Sequence, residues 1–176
     1  QEFINILEDV KNLGLNTVMV QVRPKGDALY KSNINPWSEV LTGIQGKDPG
    51  YDPLSFIIEE AHKRGIQVHA WLNPYRITTS GTDVNSLSAN HFARKNPHTV
   101  ITDGKALYYN PGLPEVRQHI VDTVTEIVSN YNVDGIHFDD YFYPSANVND
   151  GDTFAKYGNG MNIGDFRRDS VNKLVQ

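Results

Sequence analysis

Three short apolar segments, at 17–23, 66–73 and 135–141, are each followed closely by a proline: Pro24, Pro74 and Pro144. Each is preceded by an amphipathic stretch at helical spacing. Phe3, Ile6, Leu7, Val10 and Leu13 form the first, Leu54, Ile57, Ile58 and Ala61 the second, and Val116, Ile120, Val124, Ile127 and Tyr131 the third. Asp52-Pro53 reads as a helix start with Asp at the N-cap and Pro at the first helical position, and Pro114 opens the next helix. A last helix is expected from about Gly164 to the end of the chain. The links between these units are lopsided. Helix-to-strand connections are as short as Gly65 alone, whereas the strand-to-helix connections run to about 20–40 residues, far beyond the ~2–6 usual for such units. Nearly all the irregular chain therefore gathers at the C-terminal ends of the strands.

Strands that alternate with helices predict a parallel sheet. Its extra chain lies where α/β barrels and open α/β sheets place their sites. A full (β/α)8 barrel of the TIM type takes ~250 residues. This sequence has 176 residues and three clear strands. The expectation is an α/β fold of that barrel type with long loops, residues 1–176 forming one domain that is a fragment of a larger barrel. A small open sheet is the alternative. Within the second long loop, residues 99–102 and 106–109 flank Asp103-Gly104 as a small hairpin.

Composition narrows the partners. Hydrophobic residues make up 39% of the chain, and the net charge is −5 with no basic cluster, which argues against nucleic acid. No apolar run is long enough for a membrane-spanning segment. Cysteine is absent, so disulfides, thiolate metal sites and cysteine nucleophiles are excluded.

The third strand runs from buried ribbon into chemistry: Gly135-Ile136-His137-Phe138-Asp139-Asp140-Tyr141-Phe142-Tyr143-Pro144. Ile136 and Phe138 alternate with His137 and Asp139, so one face is apolar and the other polar. The same alternation puts Gln21 and Arg23 on the polar face of the first strand and His69, Trp71 and Asn73 on that of the second. Such a set is costly to bury unless hydrogen-bonded together or lining a solvated pocket. Asp139 is the first candidate for a catalytic carboxylate. Asp140 suits that role or a bond to loop amides, and His69 and His137 suit structural as well as catalytic duty. Arg23 is expected to ion-pair with a neighbouring carboxylate such as Asp139.

The loops carry Asp27, Tyr30, Trp37, Glu39, Tyr51, Tyr75, Arg76, Phe92, Tyr108, Tyr109, Asn110, Tyr143 and Tyr157. Aromatic faces stack on pyranose rings, and carboxylates and amides bind hydroxyls; the same aromatics also pack loops onto a scaffold. Glycoside hydrolysis needs two carboxyl groups flanking the scissile bond. The partner of Asp139 is sought among Asp27, Glu39 and Asp140, or on a strand outside this chain. Residues 147–152 space oxygen ligands closely but lack the closing Glu of a calcium loop, and a solvated turn fits better. A metal site built from His69, His137 and Asp139 is a minority reading, and no metal or other cofactor is expected.

Gln21-Val22-Arg23-Pro24-Lys25-Gly26-Asp27-Ala28, Pro36-Trp37-Ser38, Pro49-Gly50-Tyr51-Asp52-Pro53-Leu54, His69-Ala70-Trp71-Leu72-Asn73-Pro74-Tyr75-Arg76, Asn110-Pro111-Gly112 and His137-Phe138-Asp139-Asp140-Tyr141-Phe142-Tyr143-Pro144 resemble the glycosyl-hydrolase-like family 10 of bacterial envelope proteins, nearly end to end. The resemblance implies a (β/α)8 barrel and an exported or lipid-anchored location, with the signal sequence outside this chain. It also implies hydrolysis of glycans, in at least one member peptidoglycan strands stripped of peptide. The third strand is more remotely similar to the α-amylase-type strand whose aspartate is the nucleophile, with His137 where that strand has arginine. The sequence thus nominates Asp139, Asp140, Asp27 and His137 as catalytic. Arg23, Trp37, His69, Trp71, Asn73, Tyr75, Arg76 and Tyr141 are nominated to hold a glycan. The rival readings are a non-catalytic glycan-binding module and a metal-dependent hydrolase.

Overall fold

The computed structural model describes residues 2–139 and 142–176. Its elements, in chain order, are α1 (Glu2–Asn12), β1 (Thr17–Arg23), α2 (Glu39–Thr42), α3 (Pro53–His62), β2 (Gln67–Leu72), α4 (Phe92–Lys95), β3 (Val100–Asp103), β4 (Ala106–Tyr109), α5 (Pro114–Asn130), β5 (Gly135–Phe138), α6 (Gly151–Tyr157) and α7 (Ile163–Val175). The three expected strands form one parallel sheet in the order β1-β2-β5, and β3 and β4 form the expected antiparallel hairpin.

Local chemistry accounts for the element ends. Asp52 caps α3, its carboxylate accepting from Leu54 N at 3.1 Å and Ser55 N at 3.3 Å, with Pro53 next in the chain. At the N-terminal end of the sheet, Asp134 Oδ2 accepts from Val68 N at 2.8 Å and lies 2.8 Å from His62 Nε2. These bonds hold its carboxyl below the usual carboxylate range. One side chain thereby ties the end of α3, the start of β2 and the approach to β5.

The period-2 reading holds in three dimensions for β2. Val68, Ala70 and Leu72 are wholly buried against α1 and α3, joined by Leu7, Leu54, Ile58 and Ala61. The opposite face carries His69, paired in register with Gly135, and Trp71, paired with His137. A Cβ on residue 135 would stand 2.9 Å from the His69 ring, so only glycine lets that imidazole lie over β5.

Two features differ from expectation. The first and third long loops carry short helices, α2 and α6. The second loop is no loose appendage. Tyr75, Ile77, Leu87, Ala93, Leu107 and Tyr109 bury together against Val116 and Ile120 of α5, a second core under the strand tips. Backbone bonds from Tyr109 N to Tyr75 O at 2.8 Å and from Ile77 N to Leu107 O at 3.0 Å extend the hairpin back to the end of β2. Among the described residues, no helix is long and apolar enough to cross a membrane.

Candidate active site

The strand tips meet at the C-terminal end of the sheet. Asp139 is half-buried and stands one residue past β5, as Asn73 stands one past β2. His137, half-buried on the same face, meets Trp71 edge to face at 6.0 Å between ring centroids. His137, Trp71 and His69 thus share one face of the sheet, and Asp139 follows His137 by two residues. Asp140 and Tyr141 lie outside the described residues.

Arg23 takes a different part from the one expected. A register shift between Gln21 and Arg23 turns the end of β1, and the Arg23 side chain is wholly buried. Its Nη1 donates to the carbonyl oxygens of Asn73 at 2.9 Å and Pro74 at 3.1 Å, and its Nε donates to Asn35 Oδ1 at 3.3 Å. No ion pair joins it to a carboxylate among the described residues. The guanidinium also stands 6.0 Å from the centre of the Tyr109 ring. In place of the expected ion pair with Asp139, two of its nitrogens form a strut between strand tips, and burial leaves the side chain no open surface for a glycan. Asn73, 2% exposed, returns the contact, its Nδ2 donating to Pro24 O at 3.0 Å.

Asp27 is wholly buried beside this strut. Its Oδ2 accepts from Gln45 Nε2 at 3.3 Å and lies 4.0 Å from Lys25 Nζ, which is itself 2.7 Å from Glu39 Oε1. Burial raises its pKa above the ordinary value, an effect that the Lys25 charge and the bond from Gln45 only partly offset. The shift is in the direction a general acid requires.

The remaining nominations divide. Tyr75 is wholly buried and packs edge-on to Phe142 at 6.3 Å, so its ring offers no face to a sugar; packing has claimed it, as it has Tyr30 and Tyr109. Trp37, bridged to Ala28, lines a cleft with Lys31, Asp48, Gly50, Tyr51 and Asp52 in the first long loop. Arg76 is half-buried, its backbone bridged to Tyr108.

Sequence reasoning passed over two buried histidines. His91, wholly buried, accepts from Ala93 N at its Nδ1 at 3.1 Å and stacks on Tyr109. His119 stacks on Phe92 with ring centroids 3.9 Å apart. Burial, reinforced by the nearby Arg23 charge, pushes both down to about 3, so both are neutral. The signal for His119 was present, since it falls within the Val116–Ile120–Thr123–Ile127 stripe of α5. His91 sits against Gly26, where a Cβ would meet its Nε2 at 2.7 Å and the Tyr109 hydroxyl at 2.9 Å.

The 147–152 segment is not the solvated turn expected: its last two residues begin α6, and Asp150 is 2% exposed. Asp150 receives a bidentate bond from Arg167 of α7, at 2.6 and 2.9 Å, and the same guanidinium donates to the carbonyls of Ala146 and Val148. Among the described residues, no group of three or more histidine, aspartate or glutamate side chains converges as a metal site would.

A parallel β/α sheet with long loops at its tips and an acid just past its last strand is part of a barrel of the TIM type. The chain belongs to the glycosyl hydrolase-like 10 family, whose model matches residues 1–176. It is 52% identical to the glycosyl hydrolase YngK of Bacillus subtilis (strain 168) over 182 residues, covering 100% of this chain and 36% of that protein. It is 42% identical to the glycosyl hydrolase DigH of Escherichia coli (strain K12) over 187 residues, covering 99% of this chain and 43% of the relative. The chain thus spans less than half the length of these curated relatives. Among solved structures, a hypothetical protein from Ruminiclostridium thermocellum matches with a TM-score of 0.63 at 14% identity, covering 98% of this chain and 83% of that one. An alpha-galactosidase from Geobacillus stearothermophilus matches at 0.53 and 15% identity, covering 78% and 18%. These two likenesses speak for the fold alone.

Proposed function

We propose that this chain is the strand-tip portion of a glycoside hydrolase that cleaves a bacterial cell-wall glycan, such as peptidoglycan strands freed of peptide, outside the cytoplasm. The observation that carries the reading is Asp139: a half-buried acid one residue beyond β5 and two residues after His137, at the end of the sheet from which the long loops leave. Asp139 acts as nucleophile or base, and Asp27, whose pKa burial raises, is the helper from the loop after β1, two strands away. Arg23 and Asn73 hold the tips of β1 and β2 in place, and Trp71 and His137 form the floor. The family membership and the names of the two relatives support glycosidase chemistry; the wall glycan and the location outside the cytoplasm rest on the resemblance set out above.

The rival reading, a glycan-binding module without turnover, draws on the complete burial of Asp27, which keeps that carboxyl from open contact with a glycosidic oxygen. Incubating the intact protein with peptide-free peptidoglycan strands and other polysaccharides, with products analysed by mass, separates the two. Cleavage that disappears in Asp139→Asn while thermal unfolding is unchanged supports the hydrolase. Binding without products from any glycan supports the module.

A further inference from the structure

The cleft lined by Trp37 lies in the first long loop, which leaves the strand tips near Ala28 and is bonded to the C-terminal end of α5. Its walls are Lys31, Trp37, Asp48, Gly50, Tyr51 and Asp52, and its volume is about 300 Å³. The loop that builds it is anchored to the flank of the barrel. The Tyr131 hydroxyl, just past the end of α5, donates to Asp52 Oδ2 at 2.6 Å and to Lys31 O at 3.1 Å. Ser32 and Asn33 bond to Glu126 of the same helix. Since α5 runs from the strand tips back toward the start of β5, this anchorage draws the loop down the side of the barrel.

The walls are held before any ligand arrives. Trp37 is bridged to Ala28, and its carbonyl accepts from Gly46 N at 2.8 Å. Asp48 Oδ1 accepts from Gly50 N at 2.7 Å, fixing the turn that presents Tyr51. Tyr51 is 59% exposed. Desolvation favours covering a large aromatic ring, and more than half of this one is left open. Lys31 forms no ion pair among the described residues and stands at the same wall.

We propose that this cleft is an accessory sugar site that takes one or two pyranose units of a glycan strand, apart from the unit being cleaved. The Trp37 and Tyr51 rings cover the apolar faces of the sugar, and Lys31 and Asp48 bond its hydroxyls. A preformed concave surface with aromatic walls and a few convergent polar groups suits a small, rigid, amphipathic ligand. The site rests on the glycan reading above and extends it: a long strand would be held at the barrel flank while its reacting bond lies at the tips.

The test uses the intact protein and its Trp37→Ala and Tyr51→Ala variants. Binding is measured on immobilised peptide-free peptidoglycan strands, and cleavage on short soluble fragments of the same strands. Each substitution should weaken retention by about tenfold. Tyr51→Ala, whose ring is mostly exposed and so not needed for folding, should leave cleavage of the short fragments within about twofold. Retention unaffected by both substitutions overturns the accessory site. So does a parallel loss of short-fragment cleavage in Tyr51→Ala, which would assign the cleft to the reaction itself. If the unaltered protein binds strands through Trp37 and Tyr51 yet cleaves nothing, the hydrolase reading fails and the cleft stands.

Discussion

Arg23 and Asn73 hold each other's strands: the arginine Nη1 donates to the Asn73 carbonyl at 2.9 Å, and the asparagine amide donates to the Pro24 carbonyl at 3.0 Å. The two tips that flank the candidate site are thus spaced by side chain-to-backbone bonds in both directions, in a region closed to water. Replacing Arg23 with Ala strands the carbonyls of Asn73 and Pro74 and the side chain of Asn35. The expected loss is about 3 kcal/mol of unfolding free energy, read from a denaturant midpoint. Arg23→Lys should recover only part of it, because an ammonium cannot reach three acceptors in one plane. Equal stability of Arg23→Ala and the parent would show that the strut is dispensable.

Asp27 links burial to pH. Its folded pKa lies above the ordinary value of 3.8, so the folded state binds its proton more tightly than the unfolded chain does. Its stabilising contribution is full below pH 3.8 and fades as pH climbs through the raised value. Asp27→Asn removes this dependence. The variant should be at least as stable as the parent at pH 7, with the advantage vanishing in acid, while glycan cleavage falls. Thermal unfolding across a pH series beside product analysis checks both halves.

The buried histidines act in the opposite sense. His91 and His119 are held neutral down to about 3, whereas the unfolded chain takes up these protons near 6.5. Their contribution is full above pH 6.5 and is lost as pH falls toward 3, at about 1.4 kcal/mol per pH unit for each histidine that protonates only on unfolding. His119→Phe, which keeps a ring against Phe92, should flatten that slope by roughly one proton. An unchanged slope would mean that His119 takes up its proton without unfolding.

Gly135 makes room for His69. A methyl group there would stand 2.9 Å from the imidazole, so Gly135→Ala should cost about 1–3 kcal/mol and displace the ring. The displacement is visible as a change in the His69 imidazole resonances by NMR. A fully stable variant with unmoved resonances would remove the steric argument.

The framework of this fold was legible because it rests on periodic signals. The alternation in Val68-His69-Ala70-Trp71-Leu72 became three wholly buried apolar residues on one face and two half-buried rings on the other. The Asp52-Pro53 start of α3 and the Asp103-Gly104 hairpin followed from residue chemistry close in the chain. The site was harder to read because burial there is decided by contacts far apart in sequence. Alternation put Arg23 on the polar face, but nothing local revealed the register shift that turns it toward Asn35 and the carbonyls of Asn73 and Pro74. Tyr75 and Tyr51 look alike as loop tyrosines. One closes a core with Phe142 and the other stands in solvent, and that difference lies in the packing of loops against α5. Asp140 and Tyr141, both nominated from sequence, lie outside the described residues.

The Asp134 knot at the foot of the sheet has a consequence for how such a scaffold changes over generations. It joins α3, β2 and the entry to β5 at the end opposite the long loops. Insertions and replacements in those loops leave it untouched, so the strands keep their alignment while the rim is rewritten. Heritable variation at the exposed parts of the rim, outside the loop residues that pack against α5, can thereby test new specificities on an unchanged base.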